Sequence, residues 1–220
     1  MRLRHIPGSE EEIAKSRWVF QTPEEVGDAL SSPLYVEIGM GKGGFIIENA
    51  LTHPNIQYIG IEMYESVMVK ATRRLDRIEA DRVPRNLHFI RMDARDIADY
   101  LPESSIDRIY LNFSDPWPKA RHAHRRLESE KFLRLFRPLL KPEGTIEFKT
   151  DNRELFDFAM EEYTKAGYRL LYSTYDLHAD DEAMRENIMT EYERKFSAKG
   201  NKICKYVICP AACDILDCPV

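Results

Sequence analysis

The sequence lacks a long apolar run: nothing in its 220 residues approaches the roughly 18 consecutive apolar positions of a membrane span. The N-terminal stretch Met1 to Trp18 is charged throughout and has no signal-peptide core. These absences exclude a membrane partner, and a cytoplasmic protein is expected. The chain also has no excess of positive charge, since 32 Lys and Arg stand against 37 Asp and Glu for a net −5. Such a field repels phosphate and excludes a protein that coats nucleic acid indiscriminately, so any such contact must be local. Cysteine is missing until Cys204, and then Cys204, Cys209, Cys213 and Cys218 crowd the last seventeen residues. Their C-x4-C-x3-C-x4-C spacing lacks the paired C-x2-C knuckles of ordinary zinc sites, so no metal is expected. No internal repeat, low-complexity segment or linker interrupts the chain, whose length fits one domain.

What is present is an alternation of strand and helix patterns. Residues 1–33 read as an N-terminal arm with a short lead-in helix. Strands are expected at 34–38, 57–62, 87–92, 106–113, 145–150, 168–175 and 202–208, with helices at 45–51, 65–81, 97–101, 129–140, 153–166 and 181–196 between them. Such alternation predicts an α/β, doubly wound, mostly parallel seven-stranded sheet of Rossmann-like form in a single domain over 34–208. Residues 209–220 form a cysteine-bearing tail.

The first strand ends in Glu37-x-Gly39-x-Gly41-x-Gly43, and Glu62 closes the second strand nineteen residues after Gly43. Glycines let the backbone turn tightly and approach a ligand, while a strand-end acid can accept both ribose hydroxyls. Gly39, Gly41 and Gly44 also satisfy G-x-G-x-x-G, so a nucleoside-bearing cofactor is expected. Glu37 beside the loop would repel a pyrophosphate and attract a cationic head. S-adenosylmethionine therefore fits better than a dinucleotide. Asp93 closes the third strand, either as a cap or within reach of an adenine amino group.

The fourth strand runs into Asn112-Phe113-Ser114-Asp115-Pro116-Trp117-Pro118 and then Lys119-Ala120-Arg121-His122-Ala123-His124-Arg125-Arg126. In an open α/β sheet ligands bind beyond the carboxyl ends of the strands, which places Asp115 toward the cofactor's reactive end. The two prolines stiffen the loop, and Trp117 is either a platform for a base or a core plug. The basic run reads either as a solvated face or as a local phosphate site. His122 and His124 have no cysteine or carboxylate at metal spacing.

The run from Asn112 to Arg126 resembles the signature of the bacterial tRNA (guanine-N7-)-methyltransferase family. Further matches follow in order: the Glu37 to Gly43 loop, Gly60-Ile61-Glu62, Asp93-Ala94, Phe148-Lys149-Thr150-Asp151-Asn152 and Thr190-x-Tyr192-Glu193. The resemblance implies a class I methyltransferase fold, S-adenosylmethionine as donor and a guanine of the tRNA variable loop as acceptor. It also implies that Glu37, Gly39, Gly41, Gly43, Glu62, Asp93 and Asp115 contact the cofactor, with Asp115 the catalytic candidate. Lys119, Asp151, Thr190, Glu191, Tyr192 and Glu193 would contact the substrate, and Arg121, His122, Ala123, His124, Arg125 and Arg126 the RNA. No protein partner is implied, and a monomer or homodimer is expected.

Other readings stand beside these. Thr190-x-x-Glu193 is also a capping-box pattern, and Asp151-Asn152 could N-cap the next helix. Asp115-Pro116-Trp117-Pro118 is similar to the motif with which base amino-methyltransferases grip an exocyclic amine. A nicotinamide oxidoreductase is disfavoured by Glu37. A non-catalytic RNA- or cofactor-binding module is the alternative from outside enzymology, and the acids at 37, 62, 93, 115 and 151 weigh against it.

Overall fold

A computed structural model describes residues 6–211, and the chain divides at Pro102 and Glu103 into two compact units. Cys213, Cys218 and the rest of the tail beyond Ala211 lie outside the described residues. Cys204 and Cys209 are buried free thiols.

The first unit runs α1 (Ser9–Ala14), β1 (Val19–Phe20), α2 (Pro23–Ala29), β2 (Leu34–Ile38), α3 (Gly44–Thr52), β3 (Gln57–Glu62), α4 (Glu65–Leu75), β4 (Leu87–Arg91) and α5 (Ile97–Tyr100). Its strands lie in the order β1-β4-β3-β2, and every pairing is parallel. The reason is legible in composition: β3 is buried at all six positions, as expected where both faces of a parallel sheet are covered. Val36, Ile59, Ile61, Phe89 and Ile90 pack from the strands, and Ile46, Met68, Val69 and Leu75 from α3 and α4. The lead-in segment is part of this packing, because Ile13, Trp18, Val19 and Val26 are buried and β1 pairs with β4 at Val19 and Phe89.

The second unit runs β5 (Ile106–Asn112), a 3-10 turn (Ala120–Arg125), α6 (Glu130–Phe136), β6 (Leu140–Thr150), α7 (Arg153–Lys165), β7 (Tyr168–Thr174), α8 (Asp181–Arg185), α9 (Glu191–Ser197) and β8 (Cys204–Pro210). Its strand order is β5-β6-β8-β7. β5 and β6 are parallel, while β8 runs antiparallel to both of its neighbours. Phe148, Phe156 and Tyr206 form its aromatic centre, with Tyr206 5.2 Å from Phe148 and 6.0 Å from Phe156.

Among the described residues eight strands form where seven are expected; the extra one is the two-residue β1, too short to register as a period. Three helices also differ from expectation. α4 stops at Leu75, not near Asp81, because the chain tightens: the Ile78 N–H bonds to the Leu75 carbonyl at 3.0 Å. The helix expected to reach Leu140 gives way after Phe136 to a 3-10 turn containing Pro138, which cannot donate to the helix. The helix expected over 181–196 is two, α8 and α9, separated by five residues, of which Asn187 and Ile188 bind the buried Lys149 ammonium.

Gly43 shows what close helix–strand packing demands. It sits at φ 71°, and a Cβ there would lie 2.9 Å from the Ala71 Cβ on α4. Left-handed strain and overpacking together predict that Gly43→Ala loses about 3 kcal/mol in urea unfolding. A loss under about 1 kcal/mol, the low end of the overpacking range, would show that α4 moves aside freely.

Candidate functional site

In the first unit the loop after β2 is tied to the end of β3, since the Gly39 and Met40 N–H groups both donate to the Ile61 carbonyl, at 2.9 and 3.0 Å. Gly39 and Gly41 hold φ of 77° and 59°, a conformation that side chains resist. Unlike Gly43, they face open space, with no atom within 4 Å of where a Cβ would stand. The loop therefore offers bare backbone to a ligand at 39 and 41 and closes its own packing at 43. Two buried carboxylates flank it, Glu37 at the end of β2 and Glu62 at the end of β3. Glu62 accepts from the Gly41 N–H at 3.2 Å through Oε2 and from the Tyr64 N–H at 3.0 Å through Oε1. These two bonds fix the carboxylate against the glycine loop at the end of β3.

Asp93 takes the cap role. It N-caps a 3-10 turn through the Arg95 N–H at 2.9 Å, and both its oxygens receive the Arg95 guanidinium, at 2.9 and 2.8 Å. Those hydrogen bonds hold its carboxyl below the usual range. The Arg95 side chain is 66% exposed, so exchanging this ion pair for another donor costs little.

In the second unit the loop carrying Asp115 leaves β5 under backbone strain. Phe113 and Trp117 adopt φ of 52° and 39°, the left-handed region that non-glycine residues enter at a cost of about 1–3 kcal/mol each. Asp115 lies between them and is exposed. Three contacts hold the loop. The Phe113 N–H donates to the Lys149 carbonyl at 2.8 Å. Arg126 donates through Nε to the Pro116 carbonyl at 2.8 Å and through Nη2 to the Trp117 carbonyl at 3.2 Å. The Ser114 hydroxyl is hydrogen-bonded to the Glu128 carboxyl. Burial pushes Glu128 up to about 7, against the lowering effect of that bond, so a large share of it carries its proton at neutral pH.

The basic run forms a 3-10 turn folded against Trp117. Arg125 stacks over the indole at 5.0 Å and His122 meets it edge-on at 5.8 Å. Lys119, Arg121, His124 and Arg125 are exposed, and Ala123 is half-buried. Arg126 departs from the expected RNA face: its guanidinium is half-buried, engaged with the loop carbonyls, and packed 4.3 Å over the Phe158 ring.

The Thr190–Glu193 segment splits in two. Thr190 and Glu193 make the capping box of α9, which places both in the interior. The Glu193 carboxylate is fully buried against Lys149 Nζ at 2.9 Å, with His178 Nε2 at 3.0 Å and Asn187 Nδ2 at 2.8 Å. Glu191 and Tyr192 are exposed. Tyr192 stacks on Phe196 at 4.0 Å and lies 4.8 Å from Phe113. Burial and then Asp151, by charge and a hydrogen bond, raise its phenol pKa. Asn152 is the N-cap of α7, accepting from the Leu155 N–H at 2.9 Å, which leaves Asp151 to bind Asn201 at 2.8 Å and Tyr192. The structure thus gathers Phe113, Asp151 and Tyr192 and withdraws Thr190 and Glu193. No trio of His, Cys, Asp or Glu among the described residues could hold a metal ion.

Sequence reasoning gave no role to Lys149, whose Nζ also reaches Asn187 Oδ1 at 3.0 Å and the Ile188 carbonyl at 3.1 Å. A signal existed: a lysine inside a continuous buried strand must find a partner acid. Glu128 had none, since one acid after a basic run reads as surface.

A family described as putative methyltransferase matches residues 31–206. The chain is 48% identical to the tRNA (guanine-N(7)-)-methyltransferase of Lachnoclostridium phytofermentans, over 94% of this chain and 97% of that protein. The chain belongs to the tRNA (guanine-N(7)-)-methyltransferase family. A second member, from a Geobacillus species, is 46% identical over 92% of this chain and 93% of its own. Among solved structures, an antibiotic-related methyltransferase aligns with TM-score 0.63 at 17% identity, covering 86% of this chain and 94% of its own. A 16S rRNA (adenine(1408)-N(1))-methyltransferase from Catenulisporales acidiphilia, solved with its cosubstrate S-adenosylmethionine, aligns with TM-score 0.60 at 16% identity over 91% and 95%. Likeness at that level shows that this family member has the α/β methyltransferase fold.

The buried pair of this family member generates a prediction. Burial works to raise the Glu193 pKa, but the charge of Lys149 and hydrogen bonds from Lys149, His178 and Asn187 outweigh it and hold the carboxyl below its ordinary 4.5. A depressed carboxyl contributes its full stability above the unfolded value and loses it as pH falls through the folded one. The thermal midpoint should therefore fall more steeply below about pH 4.5 in the natural protein than in Glu193→Gln. Lys149→Met, which strands a buried carboxylate, should cost about 3–5 kcal/mol in urea unfolding.

Proposed function

We propose that this chain transfers a methyl group from S-adenosylmethionine to N7 of a guanine in the variable loop of tRNA, working in the cytoplasm. The observation that carries the reading is Asp115, the one acid of the run from Asn112 to Arg126, exposed on a loop strained on both sides and clamped. A carboxylate so fixed is built to meet a ligand, since a surface acid needs no such restraint.

The first unit fits the donor. Gly39 and Gly41 present backbone to open space, Glu62 is a carboxylate held at the end of β3, the place from which a strand-end acid accepts ribose hydroxyls, and Glu37 sets negative charge beside the loop, where a cationic sulfonium and amino group are favoured. Asp93 would take the adenine amino group in exchange for Arg95. When bound, S-adenosylmethionine supplies an electrophilic methyl group on a sulfonium.

The acceptor needs little activation. Guanine N7 carries a lone pair and no proton, so no general base has to create the nucleophile, and alignment dominates the rate. Asp115 accepts hydrogen bonds from the guanine N1–H and exocyclic amine and stabilises the cationic product. Tyr192 and Asp151 bound the acceptor side, the exposed ring offering a face on which a base can stack. Lys119, Arg121 and Arg125 hold phosphates, so binding weakens with salt.

Incubation with labelled S-adenosylmethionine and unmodified tRNA should place label at N7-methylguanosine, located by cleavage at that base. Asp115→Ala should lower turnover by about 100-fold or more, on the scale of losing one preorganised electrostatic group, with tRNA binding retained. Label on an exocyclic amine would overturn the reading in favour of a base amino-methyltransferase, and absence of label would leave a binding module.

A further inference from the structure

We infer that Arg126, assisted by Glu128, is a positioning residue that locks the Asp115 loop, and not one of the cations that grip RNA; the inference rests on the methyl-transfer reading above.

The geometry separates Arg126 from its neighbours in the basic run. Arg125 stacks on Trp117 with its charge exposed. Arg126 turns inward and donates to two consecutive carbonyls of the loop, Pro116 at 2.8 Å and Trp117 at 3.2 Å. Its face is covered by Phe158. The planar guanidinium suits this task because its donors form a rigid fork, which an ammonium does not. These carbonyls need such a donor. Trp117 is left-handed and is flanked by Pro116 and Pro118, which carry no N–H, so the segment closes few hydrogen bonds of its own. Arg126 supplies them on the side following Asp115.

Glu128 acts on the side preceding it. Its buried carboxyl holds the Ser114 hydroxyl, while its other oxygen, Oε2, is buried without a hydrogen-bond partner among the described residues. Ser114 and Pro116 are the immediate neighbours of Asp115. The catalytic candidate is therefore pinned on both sides by residues two apart in sequence. Without these contacts the strain at Phe113 and Trp117 is free to relax, and Asp115 moves with the loop.

A phosphate contact and a loop clamp leave different signatures. We would measure kcat, KM for each substrate, and tRNA affinity across a salt series for Arg125→Ala, Arg126→Ala, Arg126→Lys, Glu128→Ala and Glu128→Gln. Arg125→Ala should weaken tRNA binding and lower the slope of log affinity against log salt by about 1. Arg126→Ala should keep the slope and KM for S-adenosylmethionine but lose about 100-fold in kcat, the scale of a 1 Å misplacement. Arg126→Lys keeps the charge and loses the fork, so it should lose turnover as well, which also covers the case in which the alanine variant fails to fold. Glu128→Gln, which can still hydrogen-bond Ser114, should restore most of the turnover lost in Glu128→Ala. Full turnover in Arg126→Lys, or a reduced salt slope with kcat kept in Arg126→Ala, would overturn the inference. A natural protein that methylates no tRNA would instead sink the functional reading on which it rests.

Discussion

Lys149 is the residue on which the second unit's working parts depend, through two different groups. Its carbonyl receives the Phe113 N–H and so fixes where the Asp115 loop leaves β5. Its ammonium, fully buried, binds Glu193 and with Asn187 and Ile188 stops α8 from running into α9. Desolvating a charge is affordable only when the geometry is this well satisfied. One strand position thereby sets both the start of the loop that carries Asp115 and the start of the helix that carries Tyr192.

The first unit solves a different problem. Its glycines are not equivalent: 39 and 41 leave backbone bare, and 43 admits α4. Gly60 belongs with Gly43, since a Cβ there would lie 3.0 Å from the Phe89 ring. The same residue type thus serves access in one place and density in another. Only the surroundings tell which.

Much of this was legible from the chain. The alternation of apolar runs gave the parallel strands, and the glycine loop with strand-end acids at Glu37 and Glu62 was readable as one local cluster, because both signals are local. Less legible was whatever depended on a distant partner. Thr190 and Glu193 read equally as cap and as substrate contact, and the cap they form owes its burial to Lys149, forty-one and forty-four positions earlier in the sequence. The break between α8 and α9 is invisible to helical periodicity for the same reason. Arg126 hid inside a run of cations, where composition says surface and only the carbonyls of Pro116 and Trp117 say otherwise.

The indole that packs beneath Arg125 and His122 also makes the protein its own instrument. The sequence has two tryptophans, and they divide between the units. Trp18 is buried in the first, its Nε1 bound to Asp76 at 2.8 Å, and its emission follows the integrity of that core. Trp117 is half-buried in the second, with a cation and an imidazole against its ring, so its emission follows whatever displaces them. Replacing either one leaves a chain whose tryptophan emission reports on one unit alone.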